Sequence, residues 1–177
     1  GFNLAYGTTK FFNLAHGVMA AVGGYTVFYL AKTYDLHFVI AIAIGVLFAG
    51  LIGWLLDRFI YRPLRNRKAS HMVLLVASLG AFTVLQALIA ILFSSQFQIL
   101  QQTGTVQPVY NIAGGIITQI QLIILICGLV VMVGLKLLLK YTLLGKAIKA
   151  IGDDEEVAKI VGVNTNRVIG YVFFISS

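Results

Sequence analysis

Asn13 and His16 sit at the mouth of the first long apolar run, Phe11 to Ala31. An amide and an imidazole are costly in hydrocarbon, so both are expected to face protein or a water-filled cavity. Asn13-Leu14-Ala15-His16-Gly17 then has two readings of equal standing. It is the wall of a path for a polar molecule, or an interfacial turn whose Asn and His cap helix ends. Gly17, Gly23 and Gly24 weaken this helix, as expected of an interrupted or closely packed segment. A second group lies at Asp153-Asp154-Glu155-Glu156. Asp153 and Glu156 have the D-x-x-E spacing of a helix cap and its first-turn partner, after a break at Gly152. All four acids fall where a helix dipole favours negative charge. Val157, Ile160 and Val161 follow as an i, i+3, i+4 apolar face, and Gly162 is a natural stop. So short a helix needs something to pack on, either the membrane surface or a protein. Its acidic tip is a poor match to an anionic surface, which favours a protein.

Neither group is catalytic. His16, His37 and His71 are far apart, with no Cys or carboxylate at metal-ligand spacing. There is no phosphate-binding lysine loop, no G-x-S-x-G and no H-E-x-x-H. Cys127 stands alone in an apolar run and reads as an inert apolar residue. No enzyme, metal or cofactor is expected.

The elements that must position these residues are set by composition. Of 177 residues 59% are apolar and 11% charged, and the mean hydropathy is +0.94. An ordinary soluble domain is about 45–50% apolar and about 25% charged. A disordered or collagen-like chain is excluded too, with Pro at only 2. The apolar residues gather in runs of about 18–22, long enough to cross a hydrocarbon core of about 30 Å. After Phe11–Ala31 come Phe38–Leu56 and Met72–Phe93, both without charge, and Ile120–Leu139 with Lys136 near its end. A fifth run starts near Val168. The expected fold is all-α, a polytopic transmembrane helical bundle with four spans and the start of a fifth. Residues 1–177 read as one transmembrane domain, a piece of a longer chain.

The net charge of +7 would suggest nucleic acid in a soluble protein. Here the basic residues cluster between apolar runs, in Asp57–His71 and in Lys140–Arg167, while Ser94–Gln119 has no Lys, Arg, Asp or Glu. The positive-inside rule places the two basic loops in the cytoplasm and the uncharged one on the other side. Pro63, in Tyr61-Arg62-Pro63-Leu64-Arg65, is expected to stop the helix that precedes it. Ala41, Gly45, Ala49 and Gly53 form a small-residue stripe on the second span, suited to close helix packing within the chain or between subunits.

These residues resemble a known family. Gly1-Phe2-Asn3-Leu4-Ala5-Tyr6-Gly7, Asn13-Leu14-Ala15-His16-Gly17 and Gly23-Gly24-Tyr25 look like the opening of branched-chain amino acid ABC transporter permeases. Asp57-Arg58 with Tyr61-Arg62-Pro63-Leu64-Arg65 is similar to that family's basic loop, and Ser78-Leu79-Gly80 with Leu85-Gln86 to its third span. Leu144-Gly145-Lys146-Ala147, Ala150, Ala158 and Gly162-Val163-Asn164 resemble its cytoplasmic loop. Leu14 stands where Phe is usual, Val163 where Ile is common, and Lys146 and Lys149 replace arginines.

The resemblance implies a multi-pass permease subunit in a bacterial or archaeal inner membrane, importing branched-chain or other neutral amino acids. Its partners would be a second permease, two ABC ATPases that hydrolyse ATP, a substrate-binding protein and lipid. Asn13, His16 and Gly17 would line the substrate path. Residues 140–167 would form the coupling loop, with Gly145, Ala150, Asp153, Glu156, Val157, Ala158, Ile160, Val161, Gly162 and Asn164 meeting an ATPase. Relatives with nearly the same motifs import urea or short amides, which is the alternative substrate. A secondary transporter or channel, the other alternative, would usually carry ionisable residues within its spans.

Overall fold

The structure, a computed structural model, describes residues 1–34, 37–93, 109–112 and 115–177. It is helical except for one hairpin, in two compact units: residues 1–100 with 147–177, and residues 101–146.

In the first unit a short helix α1 (Phe2–Thr9) is followed by an irregular stretch and then α2 (His16–Thr33). The helix α1 has no forerunner in the apolar pattern, because it is too short and too mixed to give a period. Helix α3 (Phe38–Leu56) packs on α2 through the small-residue stripe. A Cβ added to Gly45 would lie 2.6 Å from Val27 and 3.0 Å from the Gly23 carbonyl, so only glycine lets the two backbones approach so closely. Ala41 and Ala49 are buried, and Gly53 closes on the last helix, 3.0 Å from the Phe173 carbonyl when given a Cβ.

Pro63 does not stop the third helix. Helix α3 runs into a π-turn, Asp57–Tyr61, and on through α4 (Arg62–Asn66), giving one apolar rod over Val39–Asn66. A proline ring normally clashes with the carbonyl four residues back, and the π-turn's extra residue relieves that clash. The rod ends at Lys68, whose φ is 55°. Helix α5 (His71–Phe93) follows.

In the second unit Val109–Ile112 (β1) pairs antiparallel with Gly115–Thr118 (β2), Val109 opposite Thr118. The uncharged loop 94–119 otherwise lies largely outside the described residues. Thr118 then starts α6 (Gln119–Tyr141) with a reciprocal capping box to Gln121. Helix α6 does not continue into the following loop: Thr142 adopts an extended conformation and ends it. The Thr142 hydroxyl accepts the Gly145 N–H at 3.0 Å and starts α7 (Leu143–Asp153). A Cβ on Gly145 would collide with the backbone of Leu138 and Leu139, so the turn requires glycine there.

Helix α7 runs through Gly152, where a break was expected, and stops at Asp153. Helix α8 (Glu155–Ile160) and α9 (Thr165–Ser176) complete the chain. The largest core cluster joins Phe11, Tyr61, Leu74, Ile151, Ala158 and Phe173, with the Tyr61 and Phe173 rings 5.2 Å apart. Among the described residues three helical segments, Val39–Asn66, His71–Phe93 and Gln121–Tyr141, are long and apolar enough to cross a membrane. Helix α2 is not among them, because His16, the glycine pair and Lys32 dilute its 18 residues.

Candidate functional site

The irregular stretch Lys10–Ala15 buries Phe11, Asn13 and Ala15 and exposes the residues between them, and its backbone groups that find no helical partner turn to neighbouring helices. Asn13 supplies one anchor: it is 6% exposed, and its Oδ1 accepts the Ala15 N–H at 3.1 Å and the Tyr61 hydroxyl at 2.9 Å. Ser78 on α5 supplies another. Its fully buried Oγ accepts the Leu14 N–H at 3.1 Å. Its single proton is shared between the Leu75 carbonyl at 2.7 Å and the Phe12 carbonyl at 3.3 Å. Tyr61 and Ser78 were visible beforehand only inside motifs. A hydroxyl in an otherwise apolar span is the signal that would have found them.

The three residues read as a path are not alike. Asn13 is spent on the turn. His16 is half-buried, its ring 5.9 Å from that of Phe2. Gly17 is exposed and lines a cavity of about 380 Å³ between α2 and α5, with Val18, Tyr25, Phe82 and Gln86. Tyr25 also borders a second cavity of about 380 Å³, walled by Val22, Tyr29, Ile52, Leu88 and Phe93. The first has a polar lining group in the Gln86 amide, and the second is almost wholly apolar.

Beneath the turn, Asp57 and Arg65 form an ion pair, Nη2 to Oδ1 2.7 Å, with side chains 3% and 10% exposed. The contact is electrostatic rather than an aligned hydrogen bond, and Arg65 Nε and Nη1 meet no acceptor among the described residues. In a regular helix Asp57 and Arg65 would be about 80° apart in azimuth; the extra residue in the π-turn brings them to about 20°.

The third place is α8. Its cap is Asp154, not Asp153: Asp154 Oδ1 accepts the N–H groups of Glu156 (2.8 Å) and Val157 (3.1 Å). Four consecutive acids left the cap ambiguous in the sequence. Asp153 ends α7 instead, at the pole where negative charge is unfavourable. Glu155 and Glu156 occupy the first turn of α8. Val157, Ile160 and Val161 are exposed, Ile160 at 86%, while Ala158 is buried in the central cluster. Gly162 takes φ 87°, a left-handed stop that glycine adopts without strain. Ala150 packs against the same cluster as Ala158, and Asn164 caps α9 by accepting the Arg167 N–H at 3.1 Å. Of the residues read as a docking surface, then, Ala150 and Ala158 root the element, Gly145 serves the turn into α7, Gly162 and Asn164 shape the far end, and Asp153, Glu156, Val157, Ile160 and Val161 are open to a partner. No cluster of metal-ligating side chains occurs among the described residues.

The whole chain, residues 1–177, matches the family described as branched-chain amino acid transport system / permease component. It is 28% identical to the high-affinity branched-chain amino acid transport system permease protein LivH of Salmonella typhimurium, over 100% of this chain and 60% of that protein. For LivH of Escherichia coli K12 the identity is 27%, again over 60% of the relative. For the permease protein BraD of Pseudomonas aeruginosa it is 24%, over 61%. The chain thus spans about three fifths of the length of these relatives. No solved structure matches it. The chain, a multi-pass membrane protein, belongs to the family of permease components of branched-chain amino acid transport systems.

Proposed function

We propose that this chain forms part of the membrane path of an ATP-driven importer of branched-chain amino acids in a bacterial or archaeal cytoplasmic membrane. It works with a second permease subunit, two ATPase subunits and a substrate-binding protein. The observation that carries the reading is α8: a capped helix with an open apolar face, rooted through Ala158 in the same core as the π-turn of α3 and as α9. A push on that face reaches the bundle through packed side chains rather than through a loop. The chain has no nucleotide motif of its own, so the energy must arrive by contact. The names of the similar permeases support the substrate class, and the cavity beside Gly17 suits it, since Gln86 offers hydrogen bonds next to the apolar side chains of Val18, Phe82 and Ile89. Uptake by the complete transporter should be competed by leucine, isoleucine and valine and not by urea; preferential competition by urea would move the chain to the urea and amide importers.

In this reading α2 is the first span, leaning on α3, and residues 57–71 and 140–167 are cytoplasmic. The arginines and lysines of those loops support the orientation. A single cysteine at Thr105 should react with an impermeant maleimide added outside intact cells, while one at Asn66 should be spared. The reverse pattern would invert the topology and remove α8 from reach of an ATPase.

A further inference from the structure

Between the end of α3 and the start of α9 lies a cleft of about 430 Å³ that the transport reading leaves without a role. Arg58 and Arg62 line it from the π-turn and α4, and Arg167 from the first turn of α9. Among the described residues none of these three guanidiniums makes an ion pair. Asp57 also borders the cleft, but its charge is already engaged by Arg65. The net field inside is therefore positive. Asn164 and Asn166 add amides at the α9 N-terminus, where the helix dipole points its positive end into the same space. Asn166 Nδ2 donates to Asn66 Oδ1 at 3.2 Å and ties the two walls together. Trp54 forms the opposite edge, in the last turn of α3 before Asp57, as an indole does at a membrane–water boundary. The floor is Gly170, where an added Cβ would sit 3.5 Å from both the Trp54 ring and Asp57 Oδ2.

Unpaired planar guanidiniums around a pocket match the oxygens of a phosphate, which they can hold by paired N–H donors. The depth of the pocket decides the source. It lies where an apolar span passes into a basic loop, level with lipid headgroups, and one rim is an interfacial tryptophan. We propose that this cleft binds the phosphate of an anionic phospholipid, with Arg58, Arg62 and Arg167 as its ligands. A bound headgroup bridges α3–α4 to α9, the helix that follows α8, and so stiffens the base from which α8 projects. The inference rests on the membrane placement of α3 given above; cysteine labelling tests that placement separately, so the two can fail independently.

The test uses the full-length permease in its assembled transporter, reconstituted in nanodiscs of phosphatidylcholine with or without phosphatidylglycerol. Phosphatidylglycerol should raise the melting temperature, and native mass spectrometry should show it retained after delipidation. Arg62→Gln should weaken that retention about fivefold, and the triple variant Arg58→Gln/Arg62→Gln/Arg167→Gln on the order of a hundredfold. The triple variant should melt like the parent in pure phosphatidylcholine, which shows that it folds. Arg67→Gln with Lys68→Gln, in the exposed loop, should retain the lipid like the parent. Equal retention by parent and triple variant overturns the site. If inorganic phosphate in phosphatidylcholine discs gives the same stabilisation, the cleft takes free phosphate and the lipid assignment is wrong.

Discussion

Ile160→Asp is expected to abolish co-purification of the permease with its ATPase subunits, and transport with it, while membrane insertion stays normal. Ile160 is 86% exposed and stands with Val157 and Val161 on the open face of α8. An aspartate there, at the exposed C-terminal end of α8, costs at most about 1 kcal/mol in the isolated chain. Against an apolar partner it becomes an unpaired buried charge, costing on the order of several kcal/mol, enough for a hundredfold or greater loss of association. Lys159→Ala is the contrast. Its ammonium pairs with Glu155 at 2.8 Å, but both side chains are about half exposed, and such a pair contributes only about 0.3–0.5 kcal/mol. If Ile160→Asp retains parental ATPase binding, the face of α8 lies on lipid and the coupling role passes elsewhere.

Arg65→Ala should be the most destabilising single change in the chain. It leaves the Asp57 carboxyl 3% exposed and without its counter-ion. Breaking a buried pair by removing one partner costs about 3–5 kcal/mol, whereas removing both with apolar residues of similar volume is often close to neutral. The purified protein in detergent should therefore lose much of its thermal stability with Arg65→Ala and regain most of it in Asp57→Leu/Arg65→Met. Parental melting of Arg65→Ala would mean that water reaches the pair. The double variant also separates the pair's effect on stability from any effect on transport.

What the sequence disclosed and what it hid divide by distance along the chain. The apolar face of α8, its stop at Gly162, and the long spans are local patterns, readable from spacing alone. The stripe Ala41, Gly45, Ala49, Gly53 announced close packing, but its partners, Gly23 and Val27 on one side and Phe173 on the other, came only with the fold. Pro63 misled because the π-turn that accommodates it has no sequence signature. The turn also sets Asp57 opposite Arg65, so the ion pair was hidden by the same irregularity. The break at Thr142 was missed because a threonine between two apolar stretches looks like either a cap or a helical residue. Asn13 carried two open readings, and its oxygen is engaged both locally, by the Ala15 N–H, and by the Tyr61 hydroxyl 48 residues away, which spacing could not show.

That distance has a consequence for biosynthesis. Phe12, Asn13 and Leu14 depend on Tyr61 and Ser78, and the Leu14–Ser78 bond spans 64 residues. At about 5–20 residues per second, Ser78 leaves the ribosome about 3–13 s after Leu14. Until then the Leu14 amide and the Phe12 carbonyl lack their Ser78 partner, and each would cost several kcal/mol in hydrocarbon. The entry to α2 therefore cannot be released into the bilayer when it is made. It must be sheltered at the insertion machinery until α5 arrives, so a segment made before α3 and α5 reaches its native contacts only after both.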